Sequence, residues 1–145
     1  MMELIVKKLK PEAQLPTRGS ALAAGYDLCA CLSAPVSIAP GETVGVGTGL
    51  AFAVPEGWFA ALFARSGLAT RQGLRPANCV GVCDADYRGE YIIPLHNDSR
   101  ETRTIAPGER IAQMILLPCQ ELRFREAEEL PATERGAGGF GSTGV

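Results

Sequence analysis

With 145 residues, 46% of them hydrophobic and 21% charged, the chain has the size of one domain and enough apolar side chains to bury a core without disulfides or structural metal. A net charge of −2 gives no broad basic surface for a nucleic-acid backbone, which excludes polymeric DNA and RNA as partners. The odd number of cysteines (five), the lack of a secretory signal, and uncharged runs of at most 14 residues, short of the roughly 20 that span a bilayer, predict a cytoplasmic protein without a membrane segment.

The predicted elements are short, because 17 glycines and 10 prolines interrupt every apolar segment. The one predicted helix begins at Ser66, a residue type common at helix N-termini, and ends before Gly73. Many short strands joined by turns indicate an all-β sandwich, jelly roll or barrel. Alternating, β-branched or aromatic segments predict strands at Leu4–Val6, Val36–Ile38, Leu50–Val54, Tyr91–Ile93 and Arg110–Leu116.

The pentapeptide Ile-Ala-Pro-Gly-Glu occurs twice, at Ile38–Glu42 and at Ile105–Glu109, each time before an apolar run. Proline sets φ at the second turn position, and glycine accepts the positive φ that a type II turn requires at the third. We therefore expect two type II turns and no repeat architecture, because nothing else recurs at that spacing.

Residues 84–89, reading DADYRG, place two carboxylates one residue apart after a strand predicted for residues 80–83. The segment does not fit a calcium loop, because Arg88 and Leu95 stand where oxygen ligands are needed. Two interpretations stay open. The aspartates accept turn amides at a hairpin corner, or Asp84 lies at a cleft rim and takes a proton from water.

Arg65, Ser66 and Gly67 place a bidentate cation, a hydroxyl and an unobstructed backbone amide at the start of the predicted helix. Helix-start amides and guanidinium groups favour phosphate, and glycine lets a ligand approach closely. The alternative is an ordinary Ser66 N-cap beside a surface arginine.

The last segment, residues 135–145, holds five glycines and one large side chain, Phe140. We expect a flexible tail that follows a single β domain of residues 1–134. The tail matches G-x-G-x-x-G, but the chain ends too soon for the helix of a dinucleotide site, and the lysine of a P-loop is missing. It is either a disordered end, or a strap with Arg135, Ser142 and Thr143 for phosphate and Phe140 for stacking on a base.

Zinc binding and covalent catalysis are disfavoured. The pairs Cys29 with Cys31 and Cys79 with Cys83 lack the C-x₂-C spacing of a zinc site, and His96 is the single histidine. No nucleophile-elbow motif supports a Ser-His-Asp triad.

Taken in order, five short segments resemble the five motifs of the homotrimeric dUTPase family and cover nearly the whole chain. Their specificity lies in the presence of all five in sequence. The segments are Ala24–Leu28, Arg65–Leu68, Asn78–Gly89, Pro107–Gln113 and Arg135–Gly144.

The resemblance implies a distorted β jelly roll, or β-clip barrel, with one short helix. Three subunits would build three shared sites, each closed by the tail of a neighbour. The implied reaction is Mg²⁺-assisted hydrolysis of dUTP to dUMP and pyrophosphate. It would limit uracil incorporation into DNA and supply dUMP for dTMP synthesis.

The resemblance also implies site residues. Asp84 would be the general base that directs water at the α-phosphorus, Tyr87 would pack on the deoxyribose and exclude a 2′-hydroxyl, and Asp27 would support the water shell of the metal. The uracil pocket would be formed by Asn78, the backbone of Val82 and Cys83, and Ile92. The phosphates would be held by Arg65, Ser66, Gly67 and Gln113. The tail would add Arg135, Phe140, Gly141, Ser142 and Thr143.

Two positions depart from the usual family pattern. Cys83 stands where an aliphatic residue is usual, and Ala64 stands where proline is common. Both are small apolar changes that affect local packing only. A thiol beside Asp84 raises the hypothesis that alkylation or oxidation hinders the site.

Two alternative functions are weighed against this one. A dCTP deaminase has a similar fold and nucleotide, but the complete segment 135–144 and the hairpin 84–89 argue against it. The second alternative is a non-catalytic trimeric β module that binds nucleotide or a protein partner as a regulator. A module of that kind is expected to lack Asp84 or the tail, and this sequence has both.

Overall fold

A computed structural model of the chain describes residues 2–78 and 80–139. Within these residues, twelve strands and one helix follow one another. They are β1 (Ile5–Lys8), β2 (Thr17–Arg18), β3 (Tyr26–Cys29), β4 (Val36–Ile38), β5 (Thr43–Gly47), β6 (Leu50–Ala53), β7 (Trp58–Phe63), α1 (Ser66–Gln72), β8 (Leu74–Pro76), β9 (Gly81–Cys83), β10 (Ile92–Asn97), β11 (Arg103–Ile105) and β12 (Arg110–Pro118).

The strands form antiparallel sheets around one core. A five-stranded sheet has the order β2-β3-β12-β7-β9, a three-stranded sheet has the order β5-β10-β8, and β1-β6 and β4-β11 form pairs. One hydrophobic cluster draws on several of them, with Leu28 from β3, Val46 from β5, Ile93 from β10 and Ile111 from β12. The arrangement is the all-β jelly roll with one short helix that the sequence predicts.

All six strands predicted from the sequence are present, including the one at residues 80–83. Val36–Ile38 has the predicted ends, whereas the strand predicted at Tyr91–Ile93 is observed as Ile92–Asn97. The other six strands were missed, and β7 is the longest of them. Its sequence WFAALF is a continuous apolar run without alternation, because the strand lies between β12 and β9 and is largely buried.

Both Ala-Pro-Gly-Glu segments form the predicted type II turn. The φ angle is 75° at Gly41 and 78° at Gly108, and Glu42 and Glu109 donate their N–H to the carbonyls of Ala39 and Ala106. Each glutamate carboxylate also accepts the N–H of the same alanine, at 2.7 and 3.0 Å. The glutamate therefore closes the turn from its side chain, a role that the sequence interpretation had not assigned.

The helix has the predicted bounds but not the predicted cap. Arg65 occupies the N-cap position with extended backbone and no side-chain capping bond, and Ser66 is the first helical residue. The Ser66 N-cap is therefore wrong, because the chain turns into the helix one residue earlier. Gly73 ends the helix at a φ of 69°.

Residues 119–139 follow the last strand and contain neither helix nor strand. Because β12 ends at Pro118, the last strand does not mark the predicted boundary between residues 134 and 135, which stays a prediction. Across residues 2–78 and 80–139, no helix has the length and apolar character to cross a membrane.

Candidate active site

A cleft of about 250 Å³, which we call the hairpin cleft, opens beside β9 and the loop that follows it. It brings together six of the residues that the family resemblance implies for the uracil pocket, the sugar and the attacking water. Four residues that the sequence interpretation missed, Leu62, Gly81, Glu90 and Tyr91, also line the cleft. The six predicted residues are Asn78, Val82, Cys83, Asp84, Tyr87 and Ile92.

Pairing between β7 and β9 fixes the inner wall of this cleft. Ala60 lies opposite Cys83 and Leu62 lies opposite Gly81. A Cβ on Gly81 would come within 3.0 Å of the Leu62 Cβ and 3.4 Å of the Asn78 amide nitrogen. Glycine at this position therefore keeps room for the Asn78 side chain.

The hairpin that carries Asp84 is held by its own hydrogen bonds. Tyr87 donates its N–H to the Asp84 carbonyl at 3.2 Å, and the Tyr87 hydroxyl donates to the Glu90 carbonyl at 3.0 Å. The Arg88 guanidinium donates to the Ala85 carbonyl at 2.6 Å. Tyr87 folds over Gly89, where any Cβ would collide with its ring. Asp84 thus lies at the cleft rim, one of the two alternatives that the sequence left open. The other alternative is wrong, because among the described residues the turn amide is accepted by the Asp84 carbonyl and not by an aspartate side chain.

Burial, the largest influence, raises the pKa of the Cys83 thiol. The Tyr91 hydroxyl lowers this pKa by a smaller amount, and the Asp84 carboxylate raises it again. The thiol therefore stays protonated near neutral pH and holds little of the reactive thiolate. Thiol sensitivity of the site stays a prediction, and the structure makes it a slow reaction.

A second group, the arginine cluster, consists of the predicted residues Asp27, Arg65 and Gln113 together with Arg110, which was not predicted. Arg65 Nε donates to Asp27 Oδ1 at 2.8 Å, and Arg110 Nη1 donates to Asp27 Oδ2 at 3.1 Å. The Asp27 side chain is only 13% exposed, so its charge is compensated by two cations. The cluster is assembled by the pairing of β3 with β12, which places Asp27 opposite Gln113.

Gln113 is held beside the start of the helix. Its side-chain amide donates to the Ala64 carbonyl at 2.8 Å. A Cβ on Gly25 would lie 2.5 Å from Gln113 Oε1, so glycine is needed at position 25 for the amide to lie where it does. The first, second and fourth of the five segments therefore meet at one place.

A cleft of about 290 Å³, the arginine cleft, borders this cluster. Arg65 and Gly67 line it, whereas Ser66 and Gln113, which were predicted to hold phosphate with them, do not. Arg71 and Arg110, which were not predicted, add two guanidinium groups, and Glu109 adds one carboxylate. The Ser66 hydroxyl is not used as a helix cap. Several cations around an open cavity can bind an anion with several charges.

The two clefts have no lining residue in common. Arg135 lines neither of the two, and its Nε donates to the Gly138 carbonyl at 2.9 Å. Phe140, Gly141, Ser142 and Thr143 lie outside the described residues. In the described part of the chain, no three His, Cys, Asp or Glu side chains converge closely enough to hold a metal ion.

Comparison with known proteins shows the family to which the chain belongs. The family described as dUTPase matches residues 11–144. The deoxyuridine 5'-triphosphate nucleotidohydrolase of Desulfotalea psychrophila is 49% identical over 131 residues, which are 90% of this chain and 87% of the relative. The Escherichia coli protein of the same name is 44% identical over 149 residues, with 99% of each chain covered.

Among solved structures, Staphylococcus bacteriophage 80alpha dUTPase with dUPNHPP superposes with a TM-score of 0.86 at 29% identity. The superposition covers 100% of both chains. The match in sequence and fold extends over the segments that form the hairpin cleft and the arginine cluster. This chain belongs to the dUTPase family.

Proposed function

We propose that this chain is a dUTP diphosphatase, which hydrolyses dUTP to dUMP and pyrophosphate by attack of water on the α-phosphorus. One observation carries the proposal: a single cleft gathers a base-reading amide (Asn78), a carboxylate (Asp84) and an aromatic wall (Tyr87). The names of the close relatives support the same reaction.

In the hairpin cleft, each wall recognises one part of the nucleoside. The Asn78 amide and the backbone at Val82 and Cys83 offer donors and acceptors to the uracil edge. The Tyr87 ring packs on the deoxyribose, leaving no space for a 2′-hydroxyl. Polar groups that become buried when the base binds reject the wrong nucleotide more strongly than an apolar pocket does.

Asp84 performs the proton transfer. Its carboxylate orients one water molecule and accepts a proton as the water oxygen bonds to the α-phosphorus. The bond to the bridging oxygen breaks, and pyrophosphate leaves. The exposed position of Asp84 at the rim suits this role, because the water reaches it from solvent.

Arg65, Ser66, Gly67 and Gln113 hold the phosphate oxygens. Mg²⁺ fits this arrangement as an ion bound mainly by the phosphates and water, which is its usual mode, because no protein cage is formed by the described residues. When bound, it neutralises charge on the triphosphate. Asp27, held by Arg65 and Arg110, is suited to an outer role at the water shell.

A homotrimer with shared sites is part of the proposal. Leu122, Phe124 and Leu130 are 66%, 90% and 87% exposed in the isolated chain, on a segment without secondary structure. Large apolar side chains in such a segment favour burial against another subunit. The tail, with Arg135, Phe140 and the residues after it, would then close a neighbour's site. Light scattering that gives the mass of one chain would contradict this.

We also assign the enzyme to the cytoplasm. Cys29, Cys31, Cys83 and Cys119 are free thiols. A reducing compartment keeps thiols in that state.

The test of the reaction is pyrophosphate release from dUTP, dTTP, dCTP and UTP, with and without Mg²⁺. We expect turnover of dUTP alone, and only with Mg²⁺. Ammonia release from dCTP would replace the proposal with a deaminase. No turnover of any nucleotide, together with tight binding of one, would indicate a regulatory binding module.

Replacing Asp84 with Asn tests the carboxylate. Asp84→Asn should lower kcat by about 10²–10⁴-fold, the usual contribution of a positioned base. Calorimetry should show that a non-hydrolysable dUTP analogue still binds. The matched control is Asp86→Asn, an exposed carboxylate of the same hairpin that does not line the cleft. Equal losses in the two variants would contradict the role of Asp84.

A further inference from the structure

Tyr91 is a buried residue of the hairpin cleft to which no role has been assigned. It is 1% exposed, although it lines the cleft. Its backbone is held on both sides, because its N–H donates to the Leu50 carbonyl at 2.8 Å and its carbonyl accepts the Thr48 hydroxyl at 2.7 Å. The ring therefore projects from a fixed point of the fold.

The Tyr91 ring joins the core to the exposed wall of the cleft. On one side, it packs against Phe52, with centroids 4.6 Å apart and planes inclined by 52°. On the other side, it stacks on Tyr87 at 6.1 Å and 30°. Aromatic pairs at these separations have preferred orientations, so each ring restricts the next. Tyr87, which is 44% exposed, is thereby connected to a buried aromatic side chain.

The stacking of Tyr91 on Tyr87 restrains the plane of the Tyr87 ring, which the hydrogen bond of the Tyr87 hydroxyl does not. The Tyr87 hydroxyl donates to the Glu90 carbonyl, which fixes the far end of the side chain. A tyrosine ring can still rotate about the axis through that hydroxyl, because its χ2 torsion is broad. The plane of the ring is set by what lies against its faces, and Tyr91 is stacked there.

The Tyr91 hydroxyl reaches the opposite wall. It is buried and has no hydrogen bond of good geometry among the described residues. It faces the thiol of Cys83, the residue before Asp84. Sulfur is a weak acceptor, so this contact fills space more than it binds. One side chain thus contacts both the wall of Tyr87 and the strand that leads to Asp84.

We propose that Tyr91 is a positioning residue that sets the ring plane of Tyr87 and so determines the preference for deoxyribose over ribose. The inference rests on the proposed function, in which Tyr87 packs on the sugar. Tyr91 acts through Tyr87, since it is buried beneath the surface that the sugar would touch. Its ring carries the effect, and its hydroxyl contributes little.

The first test compares Tyr91→Leu, Tyr91→Phe and a control, Ile93→Val, a core truncation in β10, two residues further along the chain, at a position that lines neither cleft. For Tyr91→Leu, the ratio of kcat/KM for dUTP to that for UTP should fall by at least about tenfold. The loss should lie in KM for dUTP, with kcat changed by less than about threefold, because Asp84 keeps its place. Tyr91→Phe and the control should keep the ratio within about twofold. Tyr91→Met replaces Tyr91→Leu should the latter not fold.

The second test does not depend on turnover. The chain has three tyrosines, so ring-labelled tyrosine gives a simple NMR spectrum of the nucleotide-free protein. In Tyr91→Leu, the chemical shifts of the Tyr87 ring should move toward those of a solvent-exposed tyrosine. In Ile93→Val and Tyr91→Phe, they should not change.

Unchanged Tyr87 resonances, or an unchanged selectivity ratio, in Tyr91→Leu would overturn the proposal. An equal change in Ile93→Val would do so as well, because it would indicate a general loss of packing. A wild-type protein that does not prefer dUTP to UTP would instead refute the proposed function, and the Tyr87 spectrum would still decide whether Tyr91 positions that ring.

Discussion

A methyl group at Gly25 is predicted to displace the Gln113 side chain. A Cβ at this position would lie 2.5 Å from Gln113 Oε1 and 3.2 Å from the Gln113 Cβ, well inside van der Waals contact. The amide would have to turn away and lose its 2.8 Å hydrogen bond to the Ala64 carbonyl. Because Ala64 precedes Arg65, the change also disturbs the arginine cluster.

Two opposing contributions set the size of the effect. A part-buried amide and carbonyl without their hydrogen bond cost about 1–3 kcal/mol. Alanine also restricts the unfolded chain and stabilises the protein by about 0.4–1 kcal/mol, since Gly25 is not among the residues with positive φ. Gly25→Ala should therefore lower the free energy of unfolding by about 0.5–2.5 kcal/mol.

A double-mutant cycle with Gln113→Ala measures this contact directly. Once the Gln113 amide is absent, the added methyl group has little left to displace, so Gly25→Ala should cost almost nothing. We expect a coupling energy of about 1–2 kcal/mol from urea unfolding at a fixed protein concentration. Both single variants should also raise KM for dUTP. Additive effects within about 0.5 kcal/mol would refute the predicted collision.

Two further predictions concern stability and thiol chemistry. Asn97 is fully buried, and its amide donates to the carbonyls of Ile38 and Glu101, so Asn97→Ala should lower the free energy of unfolding by about 2–5 kcal/mol. A loss below about 1 kcal/mol in denaturant titration would contradict this. Peptide mass spectrometry should find exposed Cys119 alkylated before Cys83, with no loss of turnover at that stage. Because the pKa of Cys83 is raised from 9.0, its alkylation should accelerate only at alkaline pH. Equal labelling rates near neutral pH would refute that assignment.

Local rules predicted the elements whose signals lie within a few residues. The helix ends at Gly73 because that residue takes a φ of 69°, and the two Pro-Gly turns form for similar reasons. Strand β7 escaped prediction because burial removes the alternation on which strand assignment depends. Local patterns therefore identified the glycine that ends the helix and the two turns, although they missed the N-cap, and long-range packing decides the central strands.

The candidate site shows the same division. The motifs predicted residues that would touch a nucleotide, and six of these predicted residues line one cleft. The motifs did not identify the residues that support the predicted contact residues. Tyr91 was interpreted as an ordinary strand residue, and the pairing of Asp27 with Arg110 depends on the register between β3 and β12. Such contacts join positions far apart in sequence, and no short pattern records them.

The sheet itself supports a site shared between subunits. Cys83 lies opposite Ala60 on β7, so Asp84 follows at the level of Phe59, whereas Arg65 follows the other end of β7. About six residues of extended chain, roughly 20 Å, separate the two along the strands, and one strand spacing, roughly 5 Å, separates them across the sheet. An α-phosphorus within reach of a water held by Asp84 would therefore lie far from Arg65 of the same chain. A neighbouring copy that brings its own Arg65 to that phosphate is a physical reason for the proposed assembly.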